Sequence, residues 1–247
     1  MTCLKTANTP TSIKSAVSNC AILFDLDGVL VDVSDSYRKA IQETVQFFSE
    51  TKVEPSEIQA FKAKGGYNND WDLTEAILLR MGKHVSKTEI ITKFQELYLG
   101  TESKKGYIEN ERWLLPKQKL KALHKQHRLG IVTGRPRPET LYVLKKFQTE
   151  NIFDVIVTME DYPAEKSKPD PYPIKLALKK LGKRDAVYVG DSVDDITAAR
   201  RAGARPIGCI PPGVPASHLK ELLRKHGAEK ILDSVDEITE ALHQSST

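Results

Sequence analysis

Two aspartates one residue apart, Asp25 and Asp27, close the apolar run Ala21-Ile22-Leu23-Phe24, and Gly28 follows at once. The run is long enough for a buried strand and too short for a helix, and the glycine lets the backbone turn directly after it. Strand alternation puts both carboxylates on the same side of the chain. Like charges at the mouth of a buried strand repel, so the fold must gain something by placing them there. A hard divalent cation, whose natural ligands are carboxylate and carbonyl oxygens, is one answer. A strand running into an acidic turn is the other.

Three later stretches carry residues of the same character: Val132-Thr133-Gly134, Lys168-Pro169-Asp170-Pro171 and Gly190-Asp191-Ser192-Val193-Asp194-Asp195. Each has a plain alternative when read alone. Thr133 can simply end a strand, and Lys168 can be a solvated lysine in a proline-rich loop. Asp191 and Asp195 can be the cap and a first-turn carboxylate of a helix. The histidines and cysteines have no metal-ligand spacing.

The elements that must position these groups fall into two styles. After Asp32 the pattern turns helical, with Ser36 as a cap and Tyr37, Ile41, Val45 and Phe48 on one face. Further helices are expected near Ser56–Lys62 and Asp70–Met81, and a third starts at Ser86, where Ser86 and Glu89 form a capping-box pattern. Gly65-Gly66-Tyr67-Asn68-Asn69-Asp70 interrupts them with turn chemistry. No strand is expected from Tyr37 to about Arg112, so this part reads as a helical insert.

From Leu114 helices and short apolar strands alternate. Strands are expected at Leu129–Val132, Asp154–Thr158, Ala186–Gly190, Arg205–Cys209 and Lys230–Leu232. Pro138 starts one of the helices, and Gly182 and Gly203 end two others. Apolar strands separated by helices imply a parallel sheet covered on both faces. In such sheets ligands sit beyond the carboxyl ends of the strands. Asp25, Asp27, Thr133 and Asp191 all fall just past strand ends, which core packing alone does not require.

Composition narrows the class. A chain of 247 residues holds one large domain, or a core domain carrying a smaller one, and 40% hydrophobic with 28% charged residues is ordinary for a globular protein. The net charge of +4 is spread along the chain, which implies no nucleic acid but tolerates an anionic substrate. Cys3, Cys20 and Cys209, an odd number, fit a reducing compartment. No apolar stretch reaches the length of a membrane span. Residues 1–19 lack acidic groups and are rich in Ser and Thr; the expectation is a disordered tail, with an organelle-targeting segment as the alternative.

Taken in order, Phe24-Asp25-Leu26-Asp27-Gly28-Val29-Leu30, Val132-Thr133-Gly134, Lys168-Pro169-Asp170-Pro171 and Gly190-Asp191-Ser192-Val193-Asp194-Asp195 resemble the motifs of the haloacid dehalogenase superfamily. The branch is that of subfamily IA phosphatases, similar to phosphoglycolate phosphatases and beta-phosphoglucomutases. The resemblance runs over about residues 20–212. It implies an α/β fold, a Rossmann-like parallel sheet with helices on both faces, plus a small all-helical cap domain. The core is expected over 20–34 and 114–247, and the cap over 35–113.

What the resemblance implies about residues is specific. Asp25 would be the nucleophile and Asp27 the general acid/base; Thr133 and the backbone N–H of Gly134 would grip the phosphate; Lys168 would neutralise charge. Asp191 would bind Mg2+ together with Asp25 and the backbone oxygen of Asp27. Asp195 would be a further metal ligand at the last motif position, with Asp194 as the adjacent alternative, and Arg135 either touches phosphate or starts the next helix. Lys64, Asn68, Asn69 and Asp70 in the cap are expected to read the leaving group, while Tyr67 and Trp71 are candidates for the core.

The chemistry follows from charge. A carboxylate attacking a phosphate dianion meets repulsion of roughly 4 kcal/mol per charge pair at about 4 Å when the effective dielectric is near 20. A divalent cation and one lysine reverse that sign. Asp25 would then form a phosphoaspartate, and Asp27 would protonate the leaving alkoxide before taking a proton from water. The expected function is hydrolysis of a small phosphorylated metabolite by a monomer or homodimer in the cytoplasm, or in an organelle if the tail is a targeting segment. Alternatives are a sugar-phosphate mutase, a phosphonatase using Lys62 or Lys64, and a non-catalytic binding protein. Asp27 argues against dehalogenation, which has no alkoxide to protonate.

Overall fold

The computed structural model describes residues 20–67 and 69–243. β1 (Ala21–Phe24) and β2 (Val31–Asp32) lead into α1 (Tyr37–Ser49), α2 (Pro55–Ala63), α3 (Asp70–Arg80) and α4 (Lys87–Leu99). The short strands β3 (Gly100–Thr101), β4 (Lys104–Lys105) and β5 (Arg112–Trp113) follow. Helix and strand then alternate: α5 (Lys117–His124), β6 (Leu129–Val132), α6 (Arg137–Lys146), β7 (Val155–Val157), α7 (Tyr172–Leu181) and β8 (Ala186–Gly190). The chain continues through α8 (Val193–Ala202), β9 (Arg205–Cys209), α9 (Ala216–His226), β10 (Lys230–Leu232) and α10 (Ile238–His243).

Six of these strands form one parallel sheet in the order β10-β9-β8-β1-β6-β7. β1 is central, and its alternation explains the two layers. Ala21 and Leu23 point into a cluster with Ile174, Ala177, Ala198 and Ala199 of α7 and α8. Ile22 and Phe24 point the other way, into a cluster with Leu120, Leu123, Val143, Leu144 and Leu242. Both faces are therefore covered, and every residue of β1 is buried, as a central parallel strand requires. The neighbours of β1 come from later in the chain on both sides, which opens a crevice at its carboxyl end.

The insert between β2 and β5 is built mainly from α1–α4. Ile41, Val45, Ile58, Phe61, Leu73, Ile77, Phe94 and Tyr98 are buried in a cluster continuous with the Phe24 side of the sheet. α4 starts at the expected capping box: Ser86 N–H donates to Glu89 at 3.1 Å, and Glu89 N–H donates back to the Ser86 hydroxyl at 3.3 Å. Ser36 differs from expectation. Its hydroxyl does not cap α1 but donates to buried Glu111 Oε1 at 2.9 Å, because that carboxylate has to find donors inside the protein. The β3–β4 hairpin is a second difference, and strands of two residues are too short to leave a period in the sequence.

The chain crosses between sheet and insert twice, and the crossings pair. β2 and β5 run antiparallel with Val31 opposite Trp113 and Asp32 opposite Arg112. Arg112 Nη2 donates to Asp32 Oδ2 at 2.8 Å, and Asp32 also accepts from Ser34 N–H at 3.0 Å. The stretches 32–35 and 110–113 thus lie beside each other, with the Asn110 amide donating to Asp35 O at 3.2 Å. The expectations for residues 1–19 fall outside the described residues.

Candidate active site

The residues picked out by motif converge where the strands end. Asp25 follows β1, Thr133 follows β6 and Asp191 follows β8, all on the carboxyl edge of the sheet. Asp25 N–H still donates to Val189 O at 2.8 Å, so the strand pairing itself fixes the position of Asp25. The turn after it depends on Gly28, at φ +77°, where a Cβ would stand 2.3 Å from Asp191 Oδ2. Only glycine lets the turn and Asp191 approach this closely.

Lys168 sits inside this cluster with its side chain fully buried. Its ammonium donates to Asp195 Oδ1 at 2.6 Å, to the Tyr188 hydroxyl at 3.0 Å and to Val132 O at 3.4 Å. It also stands 3.1 Å from Asp25 Oδ1 as an ion pair, and that oxygen has no hydrogen bond. Asp195 is held on all sides: Oδ2 accepts from the Ser192 hydroxyl at 2.6 Å and from Ser192 N–H at 3.1 Å. Burial alone would raise the Asp195 carboxyl, but Lys168 and these donors bring it below its ordinary value. Burial lowers the Lys168 ammonium less than Asp195 and Asp25 raise it, so it stays charged.

Asp25, Asp191 and Asp195 each offer a carboxylate oxygen, and these oxygens lie within 4.8 Å of one another. Burial pushes Asp25 well above the carboxylate range; Lys168 opposes this, and Asp195, Asp191 and Asp27 add to it. Asp191 is pushed up to about 7, first by burial and then by Asp195. Lys168 pairs with two of these crowded carboxylates, Asp25 and Asp195, while Lys62 and Arg38 oppose the rise at Asp191. The donor set fits a hard divalent cation.

Asp27 turns toward a different partner. The Arg135 guanidinium, fully buried, pairs with Asp27 and with Glu111. Thr133 is buried, and its hydroxyl accepts from Arg135 N–H at 3.1 Å. Gly134 lines the same cleft as Asp25, Asp27, Thr133 and Asp191.

The insert supplies the opposite wall. Arg38, Gln59, Lys62, Tyr67, Asn69 and Asp70 line the cleft together with Trp71. Asn69 caps α3, accepting from Trp71 N–H at 2.9 Å, and Asp70 pairs with Lys62 at 2.9 Å. Lys64 is exposed, stands over the Phe61 ring and does not line the cleft, so Lys62 occupies the place expected of it. Lys62 follows from the helix: Ile58 and Phe61 point into the core, leaving Gln59, Lys62 and Ala63 on the other face. Asn68 lies outside the described residues. Gly66 N–H donates to Asp194 Oδ2 at 2.8 Å, so the glycine turn rests on α8 and separates Asp194 from the acidic cluster around Asp25.

Comparison with known proteins agrees with this arrangement. The profile of a family described as haloacid dehalogenase-like hydrolase matches residues 22–209. An imidazoleglycerol-phosphate dehydratase of Phytophthora nicotianae is 39% identical over 225 residues; the match covers 87% of this chain but only 48% of that protein, so the chain spans about half its length. The pyrophosphatase PpaX of Bacillus pumilus is 32% identical over 76% of this chain and 81% of its own. A phosphoglycolate phosphatase of Nitrosospira multiformis is 26% identical over 92% of this chain and 96% of its own. Among solved structures, a predicted phosphoglycolate phosphatase from Haemophilus somnus superposes with a TM-score of 0.69 at 22% identity, covering 91% of this chain and 98% of that one. That likeness is one of fold. The ordered motifs, their meeting at one sheet edge and the length of the matched span lead to the same place, and the chain belongs to the haloacid dehalogenase-like hydrolases.

Proposed function

We propose that this protein is a magnesium-dependent phosphatase that hydrolyses a small phosphorylated metabolite through a phosphoaspartate on Asp25. The observation that carries the reading is the group of buried Asp25, half-buried Asp191 and buried Asp195, with the Lys168 ammonium paired to Asp25 and Asp195. Asp25 and Asp191, with the backbone oxygen of Asp27, would hold Mg2+. Asp195 is already saturated by Lys168, Tyr188 and Ser192, which suits holding the lysine better than binding metal. Bound there, the cation supplies positive charge against the repulsion between carboxylate and phosphate.

The chain's own residues do the rest. A carboxylate oxygen of Asp25 bonds to phosphorus as the bond to the ester oxygen breaks, and Asp27 gives that oxygen its proton. Asp27, now ionised, takes a proton from the water that releases phosphate from Asp25. Lys168 and the donors at Thr133 and Gly134 neutralise the phosphoryl oxygens. Residues 35–113 act as the cap, and Lys62, Asn69 and Asp70 face the leaving group. A phosphonatase would need a neutral amine for its Schiff base. Burial alone would lower the Lys62 ammonium, but Asp70 and Asp191 hold it above the ordinary lysine value.

Purified protein should release phosphate from 4-nitrophenyl phosphate with magnesium, and Asp25→Asn should abolish this while leaving the circular dichroism spectrum intact. Equal turnover by Asp25→Asn would remove the covalent mechanism. A sugar-phosphate mutase is a second reading, favoured by the glycine turn resting on Asp194 over the cleft, since a mutase must exclude water. A panel following both phosphate release and isomer formation separates the two. It should contain phosphoglycolate, pyrophosphate, a sugar phosphate and an imidazole-bearing phosphate ester, the last because of the Phytophthora relative's name.

A further inference from the structure

Arg135 has five N–H donors, and all of them are engaged. Nε donates to Asp27 Oδ2 at 3.4 Å and Nη2 to Asp27 Oδ1. The other three reach Glu111 Oε2 at 3.0 Å, Glu111 Oε1 at 3.1 Å and the Tyr98 hydroxyl at 3.0 Å. The guanidinium also lies 4.8 Å from the Tyr37 ring centroid, and that ring stacks on Tyr98 at 4.2 Å. Arg135 comes from the core side of the cleft, whereas Tyr37, Tyr98 and Glu111 come from the insert.

No donor is left for a phosphate, which removes the simplest role for an arginine beside a phosphoryl site. A purely structural pair with Glu111 would not need to reach Asp27. We propose that Arg135 is the positioning residue for Asp27, holding that carboxyl through a guanidinium that the cap itself anchors. The inference rests on the phosphatase reading of Asp25 and Asp27. Glu111 pairs with the same guanidinium from the insert side, so Arg135 is fixed by carboxylates at both ends. A planar fork fixed at both ends holds Asp27 at a set angle, and Tyr37 and Tyr98 make that angle depend on where the cap stands. The step served is the one written above: the proton leaves Asp27 for the ester oxygen as phosphorus bonds to Asp25.

The test uses a series of aryl phosphates from 4-nitrophenyl to phenyl phosphate, with kcat/KM measured in magnesium. A poor leaving group needs the proton and a good one does not. Arg135→Lys is expected to stay within about threefold of wild type on 4-nitrophenyl phosphate and to fall on the order of 30-fold on phenyl phosphate, a partial loss of a general-acid contribution. In an Asp27→Asn background the same substitution should add little. Glu111→Gln, which keeps the arginine, should tilt the series in the same direction by less, and covers the case in which Arg135→Lys does not fold. An equal loss across the series, or a KM that rises for every member with kcat unchanged, would overturn the inference. Wild-type protein inactive on the whole series would instead overturn the phosphatase reading.

Discussion

Replacing Lys168 by methionine removes the ammonium paired with Asp25 and Asp195, and the consequence can be sized. Asp25 already lies well above the usual carboxylate range, so the charge that Lys168 balances in the metal-free protein is chiefly that of Asp195. Stranding a buried charge costs about 3–5 kcal/mol. Protonation sets a ceiling on this cost. Starting from an ordinary value of 3.8, neutralising Asp195 costs about 5 kcal/mol at about pH 7.5 and about 1.6 kcal/mol at about pH 5, at roughly 1.4 kcal/mol per pH unit. The sign is fixed by the depressed native value. Wild type keeps the stabilisation from Asp195 above the unfolded value and loses it only as pH falls through the lower folded one. The variant has no such reserve, so its deficit shrinks as the solution is acidified. Urea unfolding followed by circular dichroism, with chelator present, should give a deficit of about 3–5 kcal/mol near pH 7.5 and about half that or less near pH 5. Adding Asp195→Asn should restore most of the stability and none of the phosphatase activity. A deficit equal at both pH values, or no recovery in the double variant, would refute the reasoning.

Asp191, pushed up to about 7, favours its neutral form in the native state. The metal-free protein therefore holds an extra proton between about pH 4 and pH 7 and loses stability as pH rises through that window. Magnesium must displace the proton, so the rise in Tm on adding it should be larger near pH 8 than near pH 5.5; the reverse order would contradict the assignment. Gly28→Ala forces a side chain into left-handed backbone at a cost of about 1–2 kcal/mol. Its Cβ also displaces Asp191 Oδ2 from 2.3 Å, so magnesium affinity read by thermal shift should fall on the order of 10–100-fold. Unchanged affinity would show that Asp191 is not a ligand.

Much of the sheet was legible because buried parallel strands read as short apolar runs with sharp ends. Ala21–Phe24, Leu129–Val132, Ala186–Gly190 and Arg205–Cys209 have the expected limits. The glycines at 182 and 203 end α7 and α8 in left-handed backbone, as expected of C-terminal caps. The strand ends then bring Asp25, Thr133 and Asp191 to one edge. What the sequence hides is contact between distant segments. Nothing local in Glu111, Tyr98 and Arg135 says that they meet across 37 and 24 residues. Tyr188 is hidden for another reason: inside a strand it reads as a core aromatic, and only its hydroxyl on Lys168 reveals a polar task. Lys64 and Lys62 could not be told apart without knowing how α2 turns, since one step along a helix rotates a side chain by about 100°.

The paired crossing of β2 and β5 has an evolutionary reading. Asp32 stands opposite Arg112, so the excursion begins and ends at neighbouring points of one small two-stranded ladder. A segment spliced in at such a doorway can lengthen, shrink or be exchanged at little entropic cost, because its two ends already meet. Selectivity and bond-breaking can then be inherited separately: descendants of one catalytic edge could take up new esters by rebuilding only what hangs from the doorway.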